Sequence, residues 1–228
     1  MKYIKSYNIF TSLSHRLVLH LLSPLSGMLL SLVSLLSLRE TEVGGQMNVS
    51  VFGMAFSCIF LATYAVSMDG KVFGGSMRRG ESRIDYLKCS LRGTEVYRNA
   101  LIGDQILRLL THLLLSALCG LLSLLFAARS PRELVTEWLL FAAGSWVISQ
   151  IGILIGRLLK FDAQVAVVGT LLMTWSLAFG MVMVSWEGEP RTIRILLLTV
   201  VCFLIGAALG VWMVRQSVTK KGEEYHDC

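Results

Sequence analysis

Six apolar runs of about twenty residues, each long enough to cross a hydrocarbon layer about 30 Å thick, predict an all-α integral membrane bundle of six transmembrane helices. Two further observations agree. Hydrophobic residues make up 54% of the 228-residue chain and charged residues only 16%, against roughly 25% charged in an ordinary soluble domain. The charges also collect between the apolar runs, as they must when each costs roughly 2.5–3.5 kcal/mol at the centre of a membrane helix. A single membrane domain is expected, divided into an amino-terminal segment 1–16, a six-helix domain 17–214 and a tail 215–228.

In residues 1–16, Tyr3, Ile4, Tyr7, Phe10, Leu13 and Leu17 fall on one side of a helical wheel, and Lys2, Lys5, Asn8, Ser12, His15 and Arg16 on the other. This pattern predicts an amphipathic helix lying in the membrane interface. The spans follow at Leu17–Leu38, Gln46–Met68, Gln105–Ala128, Leu134–Gly156, Ala163–Trp186 and Ile193–Val214. The first is too long for the apolar region of a signal peptide and ends without an Ala-x-Ala site, so it is expected to be retained. Between spans two and three lies the long loop 69–104. Gly70, Gly74, Gly75 and Gly80 make its start irregular, whereas Glu81–Leu91 has helix-compatible composition. Gly93 is expected to end that short helix and Thr94 to cap the next, with Glu95 in its first turn. Gly152-x-x-x-Gly156 and Gly206-x-x-x-Gly210 mark faces where helices can approach closely.

Charge sets the orientation. With the loop in the cytoplasm, 16 of the 21 Lys and Arg residues lie inside, leaving only Arg39, Arg129, Arg132, Arg191 and Arg194 outside. The opposite topology violates the positive-inside rule at every large loop. The chain is thus expected to be a multi-pass protein of the cell membrane with both termini cytoplasmic. The net charge of +6 is explained by this bordering of apolar segments, and no nucleic-acid partner is expected. Cys58, Cys89, Cys119, Cys202 and Cys228 lack CxxC spacing and predict neither a disulfide framework nor a metal site.

The catalytic motifs sought are absent from the sequence. There is no G-x-x-x-x-G-K-[ST] phosphate loop, no HExxH pair and no Gly-x-Ser-x-Gly turn, so neither an ATPase site, an enzymatic activity nor a bound cofactor is expected. His20 and His112 fall in the first turns of spans one and three, where structural or interfacial roles outweigh a proton relay. Asp104 and Arg108, spaced i,i+4, read as a helix-surface ion pair. Gln150 is either an interhelical hydrogen-bond partner or part of a translocation surface. The residues Met173, Thr174, Trp175, Met181 and Met183 suit a pathway for an amphipathic substrate and equally suit ordinary packing.

An interfacial amino-terminal helix, six spans with both ends inside, and a cytoplasmic helix between spans two and three together resemble the membrane subunits of type-2 ABC transporters. The stretch Arg83-Ile-Asp-Tyr-Leu-Lys-Cys-Ser-Leu-Arg92, followed by Val96–Leu101, looks like the coupling helix of that family. Where family members often carry a Leu-Pro-x-Ser-Arg-like turn, this chain reads Leu87-Lys88-Cys89-Ser90-Leu91-Arg92, without the proline. The loop between spans five and six, Ser185–Ile193, is too short for the re-entrant helices of many relatives. The resemblance implies a permease subunit of an ATP-driven exporter for a hydrophobic or amphipathic substrate such as a peptide antibiotic, lipid or toxin. Its implied partners are a separate ATP-binding subunit and a second permease, identical or homologous. Arg83, Leu87, Lys88, Ser90, Leu91 and Arg92 are the implied ATPase-coupling residues. The alternative is a non-transporting scaffold or an intramembrane enzyme whose basic loop binds membrane lipid headgroups.

The orientation is open to direct measurement. A thiol reagent that cannot cross membranes should label Gly45→Cys and Gly188→Cys in intact cells and spare Gly80→Cys. Labelling of Gly80→Cys reverses the topology.

Overall fold

In the computed structural model, the described residues are 2–39, 61, 64, 72–73, 92–126, 131–155, 167, 169–171, 174–175 and 190–223. Among them all regular structure is helical. Helix α1 (Lys2–Phe10) is followed by α2 (Leu13–Leu17), a π-helical turn (Val18–Leu22) and α3 (Ser23–Arg39). The long helices α4 (Gly93–Phe126), α5 (Pro131–Leu154) and α6 (Pro190–Glu223) complete the set.

Among the described residues, four stretches are long and apolar enough to cross a membrane: Leu13–Val33, Gly93–Leu122, Val135–Leu154 and Thr192–Thr219. Their outward faces fit hydrocarbon better than water. Along α6 alone, Ile193, Leu197, Val201, Leu204, Ile205 and Val211 are exposed, a larger continuous apolar surface than a soluble monomer carries. Most of the expected second and fifth spans lies outside the described residues, apart from helical positions at Leu61, Tyr64, Val167, Gly169, Thr170, Leu171, Thr174 and Trp175.

The amino-terminal segment is not one continuous helix. Thr11 ends α1 by turning both its amide (3.1 Å) and its hydroxyl (2.9 Å) onto the Tyr7 carbonyl. Ser12 then takes an extended conformation (φ −72°, ψ 157°), and its hydroxyl accepts the amide of His15 at 3.1 Å as an N-cap. Serine and threonine side chains compete for backbone groups in this way, which is why the pair interrupts an otherwise helical pattern. The break lets α1 fold onto α4 instead of continuing the line of α3. There Tyr7 is fully buried, and Gly103 allows the contact, since a Cβ at that position would lie 2.6 Å from the Tyr3 carbonyl oxygen.

Helix α4 starts earlier than the expected third span. The amide of Val96 donates to the carbonyl of Arg92 at 3.0 Å, so the ladder opens at Gly93 and Thr94 lies within the first turn rather than capping it. With 34 residues, the helix is about 50 Å long.

Side-chain contacts fix the directions of the helices. His20 meets Thr111 and Ser31 meets Cys119, so α3 and α4 run parallel. Gln150 meets Gln105 and Ser116 meets the Trp138 carbonyl, so α5 runs antiparallel to α4. Trp146 sits against Gly206 and Gln105 faces Gly210, which sets α6 parallel to α5. One apolar core joins Leu19, Leu61, Leu115, Cys119, Trp138, Leu140, Phe141 and Ile195. A second, at one end of the bundle, joins Tyr7, Phe73, Tyr97, Ala100, Leu101 and Val214.

The close seating of α1 is testable. Gly103→Val should detach α1 at a cost of about 1–3 kcal/mol, the usual penalty of overpacking. A spin label at the exposed Lys5 reads the change as increased mobility; unchanged mobility would show that the contact does not hold the helix.

Candidate functional site

The buried face of α4 carries its polar residues in one stripe. Asp104, Gln105, Arg108, Thr111, His112 and Ser116 are all buried, and their spacings of three, four and seven place them on one side of the helix. A polar stripe inside an apolar bundle requires partners from the neighbouring helices, because an unpaired buried group costs about 1–3 kcal/mol.

The first set of partners joins three elements. The Thr111 hydroxyl donates to the Leu107 carbonyl at 2.7 Å, and His20 Nδ1 lies 2.6 Å from the same oxygen. With its single proton engaged, that hydroxyl accepts from His20, which places the proton on Nδ1. His20 Nε2 is then the acceptor for the Tyr7 hydroxyl at 3.2 Å. A continuous chain of donors thus runs from α1 through the π-helical turn to α4. The π turn supplies the geometry: widening one turn of helix displaces His20 towards α4, a use of π bulges often found at functional positions.

Beside this chain, Arg108 Nε donates to Asp104 Oδ2 at 2.9 Å, with the two side chains 2% and 1% exposed. The expected helix-surface pair is therefore an interior pair. Its spacing is that of a surface pair, but the residues face the covered side of α4. His112 Nδ1 lies 2.9 Å from the Arg108 carbonyl, and its Nε2 has no hydrogen-bond partner among the described residues. His20, from the π-helical turn, meets Thr111, the neighbour of His112 on α4, and no hydrogen bond joins the two histidines directly.

On the flank towards α5, Gln150 Nε2 donates to Gln105 Oε1. Gln150 is thus an interhelical partner, joined to a residue that the sequence reading treated only as a span boundary. The remaining amide atoms, Gln105 Nε2 and Gln150 Oε1, are buried without a partner among the described residues, as are Trp146 Nε1 and Ser149 Oγ. Gln105, Tyr7 and Thr111 are the members of this region that the sequence reading missed. The i,i+3,i+7 relation of Gln105, Arg108 and His112 was the available signal.

Of the implied coupling residues, Arg92 is an exposed turn residue whose carbonyl starts α4. Arg83, Leu87, Lys88, Ser90 and Leu91 lie outside the described residues, as do Met173, Met181 and Met183. Thr174 is exposed and turns its hydroxyl back onto the Thr170 carbonyl at 2.9 Å, while Trp175 lies against Gly144. Among the described residues no group of three or more His, Cys, Asp or Glu is placed to hold a metal ion. Cys119 and Cys202 are in no disulfide, and Cys119 accepts a hydrogen bond from Ser31 at 3.3 Å.

No family model, curated protein or solved structure matches the chain.

The ion pair gives a sharp mutational contrast. Arg108→Met strips the buried Asp104 carboxylate of this partner and should cost about 3–5 kcal/mol, whereas adding Asp104→Asn should recover much of the loss. Thermal unfolding of the detergent-solubilised variants measures both. Equal losses for the single and double variants would mean that the pair does not act as a unit.

Proposed function

We propose that the chain is the six-span permease subunit of an ATP-driven exporter, placed in the cell membrane with both termini and the loop 69–104 in the cytoplasm. The observation that carries this reading is the convergence of four parts of the chain at one end of the bundle. Tyr7 of α1, Tyr97 near the start of α4, Val214 near the end of α6 and Phe73 from the loop share one buried cluster. Phe10 stacks edge-on against Tyr97 at 5.8 Å and tilts against Phe73 at 5.9 Å, and the Tyr97 hydroxyl donates to the Phe73 carbonyl at 3.3 Å. Both limbs of the basic loop are thus fastened to α1 and α4.

Helix directions support the six-span count. The parallel directions of α3 and α4, and of α5 and α6, are those expected if one further span lies between the members of each pair. On this reading the four described spans and the expected second and fifth make six, an even number that leaves both ends on one side.

The mechanism follows from α4 as a rigid lever. A separate ATP-binding subunit docks on Glu81–Arg92, with Leu87 and Leu91 entering its groove and Arg83, Lys88, Ser90 and Arg92 around the contact. Closure of two such subunits on ATP moves the loop. The motion enters α4 at Arg92, whose carbonyl accepts the first helical hydrogen bond, and α1 moves with it because of the contact at Gly103. Pairing with a second permease then allows the two bundles to tilt and alternate access for an amphipathic substrate.

Leu87→Asp together with Leu91→Asp should abolish recovery of the ATP-binding subunit in a pull-down while leaving the helices folded, since unpaired carboxylates in an apolar groove cost several kcal/mol. Recovery that survives the double change sinks the coupling assignment. A loop that serves lipid headgroups instead loses about 1 kcal/mol of membrane attraction for each of Arg78, Arg79 and Arg83 neutralised, which vesicle binding reads separately.

A further inference from the structure

The structure turns α1 over relative to the sequence expectation. The aromatic side, expected to enter the membrane, faces the protein instead: Tyr7 is fully buried, and Phe10 packs on Phe73 and Tyr97. At 3.6 residues per turn the outward side then centres on Lys5 and Asn8, with Ile4 on one flank and Lys2 and Ile9 on the other. All five are exposed, the isoleucines by 49% and 47%. The first 39 residues contain no Asp or Glu, so the two lysines have no acidic partner in their own segment. Lys2 Nζ lies 5.4 Å from the centroid of the Tyr3 ring, a contact that supplies no counter-anion.

The level of α1 along the bundle is set by Gly103, against which the Tyr3 carbonyl and the Tyr7 Cβ are packed. The expected apolar span of α4 begins at Gln105, two positions and about 3 Å further along the axis. In the turns before Gly103, Glu95 and Arg98 are exposed. Helix α1 therefore crosses α4 where hydrocarbon gives way to headgroups. The chain on its other side agrees, since Leu13, Leu17 and Leu21 are exposed and lead directly into the first span.

We propose that the outward face of α1, Lys2 and Lys5 with Ile4 and Ile9, is a docking surface for the anionic phospholipid headgroups of the bilayer that holds the chain. Charge complementarity selects the partner, because each ammonium group at the surface of an anionic leaflet is drawn to it. The isoleucines select a lipid among anions. Half-exposed side chains of this kind gain by burial where acyl chains begin, whereas a nucleic acid or a free phosphate offers them nothing. Lysine stems lie along such an apolar boundary while their ammonium groups reach the phosphates. Lipid on the outer face and α4 with Phe73 on the inner face then clamp α1 from both sides. The inference requires that the chain span a membrane and is independent of the exporter reading.

The test uses the full chain with the photoreactive residue p-benzoylphenylalanine in place of the exposed Asn8, in nanodiscs of equal parts phosphatidylglycerol and phosphatidylcholine. Mass spectrometry of the irradiated protein counts the adducts of each lipid. Phosphatidylglycerol adducts should exceed those of phosphatidylcholine about fivefold, the factor expected of a single lysine at an anionic surface. Lys2→Gln with Lys5→Gln should bring the ratio to parity, and Lys2→Arg with Lys5→Arg should keep it, which separates charge from any disturbance of the helix. Equal adducts on the chain with both lysines, or adducts only to the protein itself, overturn the surface. So does a preference that survives the glutamine changes and disappears with Arg78→Gln, Arg79→Gln and Arg83→Gln, since it then belongs to the loop.

Discussion

The polar stripe on α4 is the constraint on which the described structure depends. A membrane interior offers no water to satisfy Asp104, Gln105, Arg108, Thr111 and His112, so each must look to its own helix or to a neighbour. The solutions differ in kind. Asp104 and Arg108 pair along α4 itself. Thr111 recruits His20, and through it Tyr7. Gln105 recruits Gln150. Together these bonds tie α1, the π-helical turn and α5 to a single face of α4, and they specify register more narrowly than apolar contact does. A leucine stripe in the same place would tolerate sliding by a turn. A histidine held at both nitrogens would not.

Beyond the stripe, α4, α5 and α6 fit together by setting tryptophan rings into glycine notches. The Trp138 ring occupies the place a side chain would take at Gly120, Trp146 does so at Gly206 and Trp175 at Gly144. The sequence reading expected glycine pairs to bring helices close together, and at Gly206 the structure instead uses the missing side chain to seat an indole. The difference matters energetically. An indole in a fitted notch contributes dispersion contacts over a large rigid surface, the main source of attraction between helices once lipid has replaced water. It also fixes the ring in place.

The parts of the molecule legible from sequence are those governed by hydrophobic length and composition. The four described apolar helices coincide with expected spans because the bilayer imposes about twenty apolar residues on any helix that crosses it. Reading hydropathy alone placed the start of α4 at Gln105, since Glu95, Arg98 and Asp104 depress the signal; the backbone ladder ignores hydropathy and begins at Arg92. The Thr11–Ser12 break was legible in principle, as two hydroxyl residues in succession compete for the backbone, but the strong amphipathic pattern on either side concealed it. Asp104 and Arg108 show the opposite limit. Their spacing was read correctly as an ion pair, yet whether it faces outwards or inwards depends on which face of α4 its neighbours cover. Tertiary packing decides that. The partnership of Gln105 with Gln150 is likewise a matter of antiparallel register between α4 and α5, which no local pattern contains.

Register also bears on the exporter reading. Arg92, whose carbonyl accepts the first helical hydrogen bond of α4, and Gln105, where α4 is bonded to α5, are thirteen positions and about 20 Å apart at 1.5 Å per residue. On that reading, a displacement of the loop reaches Gln105 through the helix itself. The Gln105–Gln150 bond crosses from α4 to α5, so sliding α4 along its axis has to break it, whereas the Asp104–Arg108 bond joins two residues of one helix and is not stretched by the same displacement.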